Sequence, residues 1–158
     1  MERRKFLKAA AAGAGSIALV RGLSFGQEYY PVPVDENLWK GINRLTNPQN
    51  ETIMEKLHVP IISAPEIVKA GEIFDVGIII GKELHPMGPT HWIEYVQLSI
   101  GNEPAGTVTF RSHGYLKPKT RFAVVLDENL KGKRLSLVAT LKCNLHGIWQ
   151  HYANVEVI

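Results

Sequence analysis

The chain holds one cysteine, Cys143, among 158 residues. That single thiol excludes an internal disulfide and any four-cysteine metal cluster. Long apolar runs are also missing: the stretch from Ala9 to Val20 falls short of the ~20 residues that a membrane span needs. No internal repeat, low-complexity tract or glycine-rich phosphate loop is present, which removes the common nucleotide-binding motifs. Nor is there a nucleic-acid footprint. The formal charge is +3, but residues 1–26 carry five basic side chains and one acidic one. The remainder has 13 Lys+Arg against 14 Asp+Glu, a net of −1. Apolar content of 45% excludes wholesale disorder and leaves one domain with a real core as the expectation.

What is present begins with an address. Residues 1–26 have the layout of a cleavable export signal: Arg3-Arg4-Lys5-Phe6-Leu7-Lys8, a small-residue apolar run, then Ser24 and Gly26 before a cut ahead of Gln27. The paired arginines resemble a twin-arginine signal, which moves folded proteins and suits a metal loaded before export. The expected location is periplasmic or otherwise exported, with no stable membrane span once the signal is removed.

Residues 27–50 read as an extension. An extended lead-in with Pro31 and Pro33 precedes a short helix from Glu36 to about Leu45, where Leu38, Trp39, Ile42 and Leu45 fall at helical spacing. From about residue 57 the pattern turns to strands, expected over Glu72–Ile80, Trp92–Ile100, Gly106–Arg111, Arg121–Leu126, Arg134–Leu141 and Ile148–Val157. Short strands at this spacing, divided by Gly, Pro and Asn, predict an all-β fold, an antiparallel β-sandwich with a short N-terminal helical extension.

The chemistry gathers around the cysteine. Cys143 and His146 are three apart, so a tight turn can aim both at one point. His85 and His91 are six apart, with Pro86 and Pro89 stiffening the loop between them. His58 stands two residues before Pro60 on another segment. One thiolate and four imidazoles suit a single transition-metal ion, and five ligands leave one position of an octahedron open. Structural zinc closes at four ligands, so a fifth favours iron; a copper site of two histidines and the cysteine can also be drawn, leaving two histidines idle. His113 and His151 are set aside as non-ligands.

These residues resemble the iron centre of superoxide reductases, the desulfoferrodoxin and neelaredoxin family. The resemblance rests on His58-Val59-Pro60, His85-Pro86-Met87 with His91, and Cys143-Asn144-Leu145-His146-Gly147, and covers residues 51–158. It implies an immunoglobulin-like sandwich with one iron per chain, bound by His58, His85, His91 and His146 in a plane and by an axial Cys143. The lone cysteine matches the one-iron type. The implied activity is one-electron reduction of superoxide to hydrogen peroxide, fed by an unidentified electron-donor protein, with homo-oligomers among family members. The rival is a non-enzymatic iron-binding or electron-carrier module on the same fold. The family pattern places Glu-Lys directly before its first histidine, which carries Glu55 and Lys56 over as catalytic candidates: Lys56 to attract the anion and position a proton-donating water, Glu55 to occupy the open position in the ferric state. Here Leu57 intervenes. On an extended strand one extra residue reverses the facing of all that precedes it, unless a bulge or loop absorbs it and returns Lys56 to the pocket.

Overall fold

The computed structural model describes Asn37 and residues 40–158. The export signal, the lead-in and residues 36, 38 and 39 of the expected helix lie outside the described residues. The elements run β1 (Ile42–Asn43), α1 (Ile53–His58), β2 (Pro60–Ser63), β3 (Ile67–Val68), β4 (Ile73–Ile80), β5 (Ile93–Ile100), β6 (Glu103–Thr109), β7 (Lys119–Val125), a 3-10 turn (Glu128–Leu130), β8 (Arg134–Cys143) and β9 (Gly147–Val157). Every expected strand is present, shifted by at most three residues at an end.

Two sheets face each other. The larger has the order β1-β9-β8-β5-β6, with β3 also paired to β9; the smaller has the order β2-β4-β7. All pairings are antiparallel except those of the two-residue strands β1 and β3, which run parallel to β9. The alternation that marks the strands also sets their facing. Val76, Ile78 and Ile80 of β4 turn inward against Leu137, Ala139 and Leu141 of β8 and Val96 and Leu98 of β5, all fully buried. Each such aliphatic side chain contributes ~1.5–3 kcal/mol relative to exposure. Cys143 continues the inward parity of β8, so the strand period delivers its sulfur to the end of the core.

Two local expectations are corrected. Ile42–Asn43 is strand, not the continuation of a helix to Leu45: its backbone pairs with Ile148 and Trp149 of β9, and that pairing overrides the helical spacing. Residues 53–58 form a helix, where strand-like backbone was expected from about residue 57. Thr52 caps it, and Glu55 completes a capping box. Among the described residues no helix is long and apolar enough to cross a membrane.

Candidate metal centre

Antiparallel pairing brings five strand ends to one end of the sandwich. Ile93 at the start of β5 pairs with Cys143 at the end of β8, and Cys143 pairs with Gly147 at the start of β9. In the other sheet Pro60, just after α1, pairs with Ile80 at the end of β4. His58, His85, His91, Cys143 and His146 therefore meet, and their ligating atoms all lie within 4.8 Å of one another. His58, His85, Cys143 and His146 are buried, and His91 is half-buried on the solvent side.

The tautomers follow from the surroundings. The Nδ1–H of His58 donates to the Met54 carbonyl at 2.8 Å, one helical turn back. The Nδ1–H of His85 donates to the Pro86 carbonyl at 2.6 Å. A carbonyl only accepts, so each Nδ1 carries the proton and each Nε2 carries a bare lone pair. Those two Nε2 atoms stand 3.2 Å apart. Two facing lone pairs in a buried site repel each other unless a cation lies between them. His146 turns Nδ1 to the same point, 3.0 Å from the His58 Nε2 and 3.5 Å from the Cys143 sulfur. His91 brings Nε2 to 3.2 Å from that sulfur. Three imidazoles thus offer Nε2, one offers Nδ1, and the thiol completes the set.

Burial tunes these groups. Desolvation holds His58 at about 4, His85 at about 3 and His91 at about 4, with neighbouring imidazoles pushing the same way. All three are neutral at pH 7 and free to donate lone pairs. Desolvation raises the Cys143 thiol, while the backbone amides of Leu145 and His146 point at the sulfur and pull it down. Those amides stabilise the thiolate that a bound metal demands.

Several supporting residues were not singled out from the sequence. Trp149 stacks on His58, ring centroids 5.0 Å apart at 18°, and its indole N–H donates to the His146 carbonyl at 2.8 Å. Asn144 clamps two ligand segments together. Its side chain accepts from the Trp92 amide at 2.8 Å and donates to the Thr90 carbonyl at 2.9 Å, while its own amide donates to the Trp92 carbonyl at 3.1 Å. The Asn in Cys-Asn-Leu-His was visible as a turn residue, but its partners are 54 positions away in sequence at the furthest. The turn after β4 is tied to α1 through the Gly81 amide to the Val59 carbonyl and the Glu83 amide to the Lys56 carbonyl.

Glu55 is engaged elsewhere than in the pocket. One carboxylate oxygen accepts from the Thr46 amide and hydroxyl, both at 2.7 Å; the other accepts from the Thr52 amide at 2.7 Å. These bonds, the Thr52 amide foremost, lower its pKa to about 2. Lys56 precedes His58 by two residues on a helix, about 200° around the axis, so it leaves α1 on the far side from the imidazole. The segment is helical, so the strand rule that an extra residue reverses the facing of its predecessors does not apply to Leu57.

The Desulfoferrodoxin family model matches residues 50–152. A superoxide reductase of Pyrococcus abyssi is 33% identical over 106 residues, covering 63% of this chain and 87% of its own. One of Thermococcus kodakarensis shows the same identity and coverage. Among solved structures, the superoxide reductase (neelaredoxin) of Ignicoccus hospitalis superposes with a TM-score of 0.63 at 30% identity, covering 80% of this chain and all of that one.

Proposed function

Since this chain belongs to the desulfoferrodoxin family, we propose that it reduces superoxide, taking one electron and two protons per anion to give hydrogen peroxide. The observation that carries the reading is the pair of facing Nε2 lone pairs of His58 and His85, with Cys143 and two further imidazoles converging on the same point. This donor set fits iron: four borderline nitrogens, one soft sulfur and no closed tetrahedral shell. His58, His85, His91, His146 and Cys143 would hold it. When bound, iron supplies the electron and an exchangeable position for the anion.

The chain's own residues set the conditions for that chemistry. A ferrous ion held by four imidazole nitrogens and the Cys143 thiolate would keep a net positive charge, which would favour an anionic substrate. The amides of Leu145 and His146 hold negative charge on the sulfur. Trp149 and Met54 fix the His58 ring, one by stacking and one by accepting its Nδ1–H. Asn144 keeps His91 beside Cys143. Glu55 acts as a positioning residue through α1. Lys56 contributes as a charge on the approaching anion rather than as a proton donor in contact with it. An external donor returns the electron, and the leader delivers the folded, metal-loaded protein to the periplasm.

Iron-loaded, pre-reduced protein mixed with a pulse of superoxide should produce peroxide with no molecular oxygen. Oxygen evolved in a dismutation ratio rejects the reductase reading. A Lys56→Ala variant that keeps the full superoxide rate at low salt removes Lys56 from the proposal. Replacing Arg3 and Arg4 with Lys should block export; unchanged export rejects the twin-arginine route.

A further inference from the structure

The core of the sandwich is open on one side. β9 pairs with β8 along its whole length, but its other edge meets only two short strands, β1 at Ile148 and Trp149 and β3 at Glu156 and Val157. Among the described residues no strand covers that edge between Gln150 and Val155. The gap reaches the inward face. Trp149, Val155 and Val157 on that face are buried, whereas His151 and Ala153, which share their parity, are only half-buried. Both line a cavity of about 360 Å³, walled by Leu45, Pro48, Val59 and Ile62. Protein interiors are packed nearly without voids, so a hollow of this size beside the core is a departure from the rest of the fold.

Two polar side chains stand in this apolar wall. The side chain of Glu51 is only 7% exposed, and Lys82 donates to its Oε1 at 2.6 Å. Its second oxygen has no hydrogen-bond partner among the described residues. His151 takes no part in the metal centre, and its ring nitrogens have no hydrogen-bond partner among the described residues either. A carboxylate oxygen only accepts, and an imidazole both donates and accepts. Lys82 already balances the charge of Glu51, so the complement of this wall is a neutral apolar body that carries a hydroxyl. The volume lies near the low end of the ~300–1,000 Å³ of small-molecule sites, which suits one or two rings. The cavity also touches the support of the metal centre. Glu55 and Val59 line it from the end of α1, next to His58, and Leu45 and Pro48 flank Thr46, which donates to Glu55.

We propose that this cavity binds a small neutral aromatic alcohol, of the phenol or naphthol class, and that its occupancy is coupled to the metal centre through α1. The hydroxyl donates to the second oxygen of Glu51 and exchanges a hydrogen bond with His151, while the rings pack between Pro48, Ile62 and Ala153. A bound ring supports Val59 and the Thr46–Glu55 join, and so favours the placement of α1 that sets His58 among the other donors. Such coupling is reciprocal: a ligand that helps to hold iron is itself held more tightly by the iron-loaded protein. The site stands apart from the reaction at the centre and does not depend on superoxide being the substrate.

The test is a fluorescence titration of the iron-loaded protein with 2-naphthol, and with naphthalene as the same body without the hydroxyl. 2-Naphthol should bind once per chain and about 10-fold or more tighter than naphthalene, the preference expected of a buried carboxylate acceptor. Glu51→Ala and His151→Phe should each narrow that preference while naphthalene still binds. Ala153→Trp and Ile61→Trp, which fill the cavity, should lose both probes with melting temperature and iron content kept. Metal-free protein should bind 2-naphthol about 5-fold or more weakly, and saturating 2-naphthol should raise iron affinity by the same factor in a metal competition assay. Absence of saturable 2-naphthol binding, or equal affinity for the two probes, overturns the proposal. So does binding that survives both filling variants, because the probe then sits elsewhere. If both filling variants fail to fold, Glu51→Ala decides: an undiminished preference for the hydroxyl overturns the site. Equal 2-naphthol affinity of the loaded and metal-free proteins overturns the coupling to the centre.

Discussion

Glu55 separates two accounts of the segment before His58, and its substitution shows which holds. In the structure its carboxylate accepts from the Thr46 amide, the Thr46 hydroxyl and the Thr52 amide. Hydrogen bonds to a charged group contribute ~1.5–3 kcal/mol each, and they are not additive when they share one acceptor. Glu55→Ala removes all three and opens the capping box, so a loss of about 3 kcal/mol is expected. At about 2–4 °C per kcal/mol for a chain of this size, the melting temperature should fall by about 6–12 °C. Because α1 carries His58 less than two turns beyond the cap, iron should also be held more weakly. Glu55→Gln is the discriminating variant. Glutamine serves at the same position of a capping box and keeps one acceptor, so it should recover most of the stability. Iron content, the thiolate-to-iron absorption of the ferric protein and the superoxide rate should match the wild type. The assays are calorimetry, metal analysis and pulse radiolysis on both variants. A Glu55→Gln protein with full stability but an altered ferric spectrum would refute the capping account and return Glu55 to the pocket.

Three further outcomes follow from the same geometry. Asn144→Ala removes both side-chain bonds to the Thr90–Trp92 segment and should weaken iron binding by about 10–100-fold with the fold intact; unchanged affinity in a metal competition assay refutes the clamp. Gly81 has φ +79, and a Cβ there would lie 2.5 Å from the Leu57 carbonyl oxygen and 2.6 Å from that of Glu83, so Gly81→Ala should cost at least about 2 kcal/mol and lower iron stoichiometry, read by denaturant unfolding and metal analysis. For pH, His58, His85 and His91 sit at about 4, about 3 and about 4 in the folded protein against an ordinary 6.5. The unfolded chain therefore binds protons first on acidification. The stability of the metal-free protein should be full above about pH 6.5 and fall as pH drops toward 4 and 3, and iron should be released over the same window. Melting curves from pH 7 to 4 that rise on acidification would contradict this.

The strands were legible because each sheet buries one face: Val76, Ile78 and Ile80, or Leu137, Ala139 and Leu141, alternate in sequence as they alternate in space. The donor residues were legible as a group because histidine and cysteine are few and their spacings are short. Their partners were not. Trp149 reads as one more apolar residue on a strand, and nothing local says that its ring lies on His58. Asn144 reads as a turn former, while its acceptor and donor come from a loop more than fifty residues earlier. At Leu38, Trp39, Ile42 and Leu45 the helical spacing was real, yet Ile42 and Asn43 gain more from the open edge of β9 than a short isolated helix could offer.

The segment around Leu57 shows how a mistaken element changes a chemical conclusion. Read as strand, Glu55-Lys56-Leu57-His58 makes Leu57 an insertion that flips its predecessors and calls for a bulge. The signal against that reading was Thr52-Ile53-Met54-Glu55, the T-x-x-E signature of a helix start, ahead of an element too short to display periodicity. On a helix each residue turns the chain by about 100°, so one extra position rotates its predecessors instead of inverting them. Glu55 comes to within about 60° of the His58 face, where it is buried and spent on the cap, and Lys56 is carried to the opposite side. Leu57 thus decides which of two charged side chains can face the centre, and the structure assigns that face to the acid whose carboxylate is already committed. The long-range attraction of superoxide must then come chiefly from the charge of the centre itself, which is why the superoxide rate of Lys56→Ala, measured as a function of salt, bears directly on the mechanism.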